Sequence, residues 1–147
     1  MKPPAVIIDV DGTLCDVSSV RHHIARPIRD FDAFHTASAQ CPAMPEAVVW
    51  VEEMADSGHQ ILVVTGRPER WRHLTTVWLD RHLTRPIAEL AMRADRDFRP
   101  DCEVKADIRA ALSERFDIRH ACDDNPNIVR LWNEAGIPVK VIPGWSD

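Results

Sequence analysis

At 147 residues the chain is sized for one domain, 1–147, with a core of ordinary proportions. A formal net charge of −5 excludes a non-specific nucleic-acid coat protein, which would be strongly basic. Four scattered cysteines (Cys15, Cys41, Cys102 and Cys122) form no C-x-x-C pair, which argues against a disulfide framework or a zinc site. No apolar run approaches membrane-spanning length, and the first strand pattern starts within five residues, leaving no room for a signal peptide; a cytoplasmic protein is expected.

In chain order, the first pattern is an apolar run at 5–10 that reads as a short buried parallel strand. It contains Asp9 and is followed by Asp11 and Gly12. Residues 17–42 are mixed and polar, with Arg21, His22, His23, Arg26 and Arg29 and an aromatic knot of Phe31, Phe34 and His35. They predict a loop with a short helix near 31–39 lying over the active end of the sheet, its aromatic residues lining an entrance. A helix is predicted over 45–57 from the spacing of Val48, Val51, Met54 and Ala55, with Gly58 as its stop. A strand follows at 60–65. The helix predicted over 69–82 carries Trp71, Leu74, Trp78 and Leu79 on one face, with Pro68 at its first position. Strands at 87–92, 118–122 and 139–142 alternate with helices at 104–116 and 126–135. Such alternation predicts an α/β fold: a central, mostly parallel five-stranded sheet covered by helices on both faces.

Four polar sites fall at strand ends or helix starts, on the edge of a parallel sheet where ligands bind. Asp9 and Asp11 repel each other unless a cation neutralises them, which asks for a metal such as Mg²⁺. Thr65-Gly66-Arg67 ends a strand, and free amides at the start of the next helix would favour an anion. Lys105 is expected in the first turn of a helix begun by Asp101, where it opposes the macrodipole and requires an anionic neighbour. Asp123-Asp124 ends a further strand. Alone, each is an ordinary turn, cap or surface group. Together they supply a carboxylate nucleophile, a proton donor, a metal site and donors for phosphoryl oxygens.

Asp-x-Asp-Gly-Thr, Thr-Gly-Arg, Lys and Asp-Asp, in that order, resemble the four motifs of the haloacid-dehalogenase (HAD) superfamily of phosphotransferases. The resemblance implies a Rossmann-like HAD fold with Asp9 as nucleophile and Asp11 as general acid and base. Thr65 and Lys105 would hold phosphoryl oxygens. Mg²⁺ would be held by Asp9, Asp123 and the Asp11 carbonyl, with Asp124 assisting. An acid at position 11 fits a phosphatase. The spacings 9–65 and 65–105 leave room for a minimal cap or none, which suits a large substrate such as a polymer end.

The chain is also similar, over nearly its whole length, to the phosphatase domain of phage-type polynucleotide kinase/3′-phosphatases. That similarity implies substrate contacts from Arg21, Thr65, Gly66, Arg67 and Arg93, and a phosphorylated nucleic-acid end or nucleotide as partner. No G-x-x-x-x-G-K-[ST] is present, so the phosphatase half alone is expected, with a separate kinase or ligase partner open. Two other readings stand beside it: a small-molecule phosphatase (5′-nucleotidase or sugar-phosphate phosphatase), and a non-catalytic receiver-like phospho-acceptor. The receiver reading is weakened because the strand at 87–92 is followed by Arg93, with no aspartate before Asp95.

Overall fold

Five parallel strands are laid down in the order β3-β2-β1-β4-β5, with β1 (Pro4–Ile8) at the centre. Its neighbours are β2 (Gln60–Pro68) and β4 (Asp117–Asp123), while β3 (Glu89–Arg93) and β5 (Val139–Val141) form the edges. The computed structural model describes residues 1–25 and 27–144; Arg26 of the basic loop lies outside the described residues.

Alternation along the strands divides the core into two layers. Val6 and Ile8 of β1, with Ile61 and Val63 of β2, face α2 (Pro45–Asp56) and α3 (Arg72–His82), where Val51, Trp78 and Leu79 meet them. Ala5, Ile7, Leu62 and Val64 face the opposite way, against Leu112 of α4 (Asp101–Leu112) and Ile128 and Trp132 of α5 (Pro126–Glu134). The strands therefore read as nearly continuous apolar runs, as strands buried on both faces must. Trp78 and Trp132 belong to these cores, and the Trp78 indole N–H donates to the Cys41 carbonyl at 2.9 Å. The four cysteines are free thiols. No helix of the described residues is long and apolar enough to cross a membrane.

Several boundaries differ from the sequence expectation. β2 runs on through Pro68, and a single 3₁₀ turn (Glu69–Trp71) precedes α3, so Pro68 ends a strand instead of opening a helix. The amides after Thr65 are thus strand-end and loop amides, seven residues before α3 begins, and no helix dipole stands behind them. Lys105 is the fifth residue of α4, in its second turn, where the opposing dipole is weaker than in the first. The segment between β1 and α2 carries a 3₁₀ turn (Arg21–Ile24) and the eight-residue α1 (Phe31–Ser38), capped by the Asp30 side chain, which accepts from the Ala33 amide at 2.9 Å.

The crossover from β3 to β4 returns past β1, so the connections that leave the carboxyl ends of the neighbouring strands β1 and β4 run in opposite directions. This is the topological switch point at which open α/β sheets bind ligands.

Candidate active site

The carboxyl ends of β1, β2 and β4 surround a cavity of about 540 Å³, with Asp9, Asp11, Thr65, Lys105 and Asp124 on its wall. Beyond β1 the chain must turn sharply to keep both aspartates there. Gly12 does this with φ +82°, a left-handed conformation that side chains resist. A Cβ at this position would also lie 2.3 Å from Asp124 Oδ2, so the glycine is required twice.

Asp9, Asp123 and Asp124 are buried and present carboxylate oxygens within 4.8 Å of one another. Lys105 reaches into this cluster from α4. Its Nζ donates to Asp9 Oδ1 at 2.9 Å and Asp123 Oδ2 at 3.1 Å. Thr13, fully buried, donates to Asp124 Oδ1 at 2.9 Å, with Asp9 Oδ2 also in reach at 3.2 Å. The second Asp123 oxygen accepts from the Asp124 and Asn125 amides at 2.9 and 3.0 Å.

Burial pushes the Asp9 carboxyl well above its usual range. The Lys105 charge opposes that shift, and Asp123, Asp124 and Asp11 add to it. Asp124 is pushed up to about 6 by burial and then by Asp123. Burial alone would lower Lys105, but Asp123 and Asp9 hold it above the ordinary lysine value. When all three carboxylates are ionised, the single ammonium leaves a surplus of two negative charges in a buried space. Burial and that surplus raise Asp9 and Asp124, and a cation would relieve the surplus. Hard oxygen donors with that surplus match Mg²⁺, so the residues present fit such an ion.

Asp11 has a different partner. Its carboxylate is gripped by the buried Arg67 guanidinium, which donates from Nη2 to Oδ1 at 2.6 Å and from Nε to Oδ2 at 3.0 Å. Arg67 Nη1 donates to Thr75 Oγ1 at 3.0 Å, which orients the fork. Burial would raise Asp11, yet the Arg67 charge and hydrogen bonds outweigh it and hold the carboxyl below its usual range. The Asp11 side chain therefore stands apart from the three-carboxylate cluster. Thr65 is buried, and its Oγ1 accepts from the Arg67 amide at 3.1 Å.

The other arginines expected from the sequence divide. Arg21 lines the cavity and donates to the Gly144 carbonyl at 2.8 Å. Arg93 stands behind the wall. It donates to the carbonyls of Gly66, Asp97 and Arg99 at 2.9, 2.9 and 2.6 Å and pairs with Asp101. Gly66 and Asp101 both face the cavity, and a Cβ on Gly66 would lie 2.5 Å from Asp101 Oδ1. Phe31, Phe34 and His35 line the entrance side. Sequence reasoning gave no role to Thr13 or to Asp101 as a wall residue. The signal for Thr13 was present, as a hydroxyl one residue after the turn glycine of an acidic motif.

The polynucleotide kinase PNKP phosphatase-domain model matches residues 3–143, which spans the whole site. The chain belongs to this family. Among solved structures, a chain of the Pnkp1/Rnl/Hen1 RNA repair complex superposes with a TM-score of 0.78 at 22% identity, covering 96% of this chain and 42% of that one. The class C acid phosphatase from Bacillus anthracis with tungstate bound gives 0.72 at 16% identity, covering 98% and 68%. CbbY from Rhodobacter sphaeroides in complex with phosphate gives 0.64 at 15% identity, covering 99% and 88%. At these identities the likeness is one of fold, and the fold is that of the HAD phosphatases. The PNKP-type phosphatase domain described here spans under half the length of the RNA-repair chain it resembles.

Proposed function

We propose that this HAD-type phosphatase is a Mg²⁺-dependent phosphomonoesterase that forms an aspartyl-phosphate on Asp9 and removes 3′-phosphates from polynucleotide ends or nucleotides. The observation that carries the proposal is the pairing, in one cavity, of a three-carboxylate cluster held by Lys105 with a separate acid, Asp11, held by Arg67.

In this reading an Asp9 oxygen attacks phosphorus while the ester oxygen leaves with a proton from Asp11. Water then gives a proton to Asp11 and attacks the aspartyl-phosphate, which releases phosphate and restores the Asp9 carboxylate. Lys105 holds Asp9 in place and, with Thr65 and the amides beyond it, offers donors to the equatorial oxygens. A bound Mg²⁺ would supply charge neutralisation at the phosphoryl group. In the free enzyme Arg67 keeps Asp11 ionised. For Asp11 to act as an acid, Arg67 has to shift part of its hydrogen bonding to the incoming phosphate, which places Arg67 among the substrate contacts with Arg21 and Gly66. Arg93 supports the same wall from behind through Gly66 and Asp101.

Family membership and the arginines at the cavity favour a nucleic-acid end. A kinase or ligase on a separate chain is the partner this reading allows. The walls that α1 raises around the cavity favour a second reading, a small phosphate ester. Phosphate release with Mg²⁺ from matched 3′- and 5′-phosphorylated oligonucleotides, mononucleotides and an aryl phosphate separates the two. Turnover of 3′-ends above 5′-ends is expected. Turnover of 5′-mononucleotides far above 3′-oligonucleotides would overturn the substrate assignment.

A further inference from the structure

Two kinds of surface meet in the cavity over Asp9. Lys105, Arg67 and Thr65 bring phosphate donors from the strand ends and α4, while the segment before α2 brings the apolar and ring side chains of Ile24, Phe31, Phe34 and His35 together with Arg21 and Arg29. Phe34 and His35 are turned inward, but Phe31 leaves 47% of its surface exposed. Its ring lies over His35 with centroids 6.4 Å apart and planes 29° apart. His35 in turn abuts Phe34 at 5.2 Å and Trp71 at 5.6 Å. Phe31 is thus the open outer leaf of a ring cluster whose inner leaves are fixed.

The helix that carries it is also fixed. Asp30 caps its start, and Asp32 pairs with Arg70 at 3.0 Å, tying α1 to the segment after β2. Within the cluster, His35 Nδ1 is buried with no hydrogen-bond partner among the described residues. Burial holds this imidazole down at about 4, so the ring under Phe31 carries no charge near neutral pH. The half-exposed phenyl ring offers a flat apolar face to the cavity, and the ring behind it keeps one buried nitrogen without a hydrogen bond. Phosphate donors beside Asp9 and a ring cluster on α1 thus share one cavity, as the phosphate and base of a nucleotide would require.

We infer that the exposed face of Phe31, backed by His35, is a stacking platform for the terminal nucleobase of the phosphorylated end, while the phosphate is held over Asp9. The inference rests on the polynucleotide-end reading for the nature of the substrate. Stacking on a single aromatic ring is worth roughly 5- to 150-fold in binding.

The test compares 3′-phosphorylated oligonucleotides with matched ends whose last nucleotide is abasic, using the wild type, Phe31→Ala, Phe31→Leu and Phe31→Trp. The expected result is a lower KM for the base-bearing end in the wild type and in Phe31→Trp, with that preference lost in the alanine and leucine variants. No preference in the wild type, or the same preference in all four proteins, would overturn the platform. A preference kept by leucine would replace stacking with plain apolar contact and overturn it equally. If no oligonucleotide end is turned over while glycerol phosphate is, the polynucleotide reading fails by itself. The platform is then judged by inhibition of glycerol phosphate turnover: 3′-AMP must inhibit more strongly than ribose 3-phosphate in the wild type and no more strongly in Phe31→Ala.

Discussion

Arg67 holds Asp11 with two nitrogens, Nη2 at 2.6 Å and Nε at 3.0 Å, across a gap of 56 residues in sequence. The guanidinium is almost fully buried and the carboxylate 19% exposed, so water screens the pair little. This one contact joins the ends of β1 and β2 and favours the charged form of Asp11.

Removal of one partner from such a pair leaves an uncompensated charge. Arg67→Ala is predicted to lower unfolding free energy by about 3–5 kcal/mol, read by urea denaturation. Arg67→Lys keeps the charge but cannot hold Asp11 and Thr75 together, and should recover only part of the loss. A loss below about 1 kcal/mol for the alanine variant would show that the pair contributes nothing to the fold.

Lys105 is the one ammonium among three buried carboxylates. Lys105→Met is expected to destabilise the metal-free protein by about 3–5 kcal/mol. Mg²⁺ should raise the thermal midpoint of this variant more than that of the wild type, because an added cation relieves a larger surplus of negative charge. An equal or smaller shift in the variant would argue that the ion does not bind at this cluster.

The His35 ring titrates near 4 in the folded protein because it is buried, against an ordinary value of 6.5. Between those values the unfolded chain binds a proton that the folded chain refuses, so stability falls as pH drops from about 6.5 to about 4. Asp124, raised to about 6 by burial, acts in the opposite sense over an overlapping range. The clean measurement is therefore the difference between the wild type and His35→Phe, in which Asp124 is common to both. The variant should gain roughly 2–3 kcal/mol relative to wild type on going from pH 7.5 to pH 4.5. A difference that does not change with pH would contradict the assignment.

Gly12→Ala meets both a left-handed backbone and the Asp124 carboxylate. Displacement of a site group by about 1 Å can cost roughly 100-fold in rate, and a loss of at least that size in kcat is predicted. Gly58 also has a positive φ, at +89°, but has nothing near its Cβ position. Gly58→Ala should therefore lose stability while keeping its rate per folded molecule.

For Arg93→Ala, the ties to Gly66 and Asp101 predict equal loss on a small phosphate ester and on an oligonucleotide end. Greater loss on the oligonucleotide would give Arg93 a direct substrate contact.

Much of this fold was legible because both layers leave periodic traces. The buried strands are apolar runs, and α2, α3 and α5 show one apolar face each. The acidic and hydroxyl sites fell at the carboxyl edge because strand ends carry them, and Lys105 reaches the same edge from α4. What was not legible depends on pairing at a distance. Nothing local to Arg67 says that its partner is Asp11, and nothing at Thr13 says that Asp124 accepts its proton. Nothing local to Arg93 says that its donors meet Gly66, Asp97, Arg99 and Asp101. The extension of β2 through Pro68 was hidden because a proline two residues after a glycine reads locally as a helix start, while the pairing of Pro68 with Arg93 of the edge strand decides otherwise.

The proposed reaction depends on Asp9 as its nucleophile. Rapid quench of a single turnover of an activated phosphate ester with Mg²⁺, followed by peptide mass spectrometry, tests it directly. One phosphoryl group on the peptide containing Asp9, absent together with turnover in Asp9→Asn, is the predicted result. Full turnover by Asp9→Asn, or a phosphoryl group carried on another residue, would contradict it.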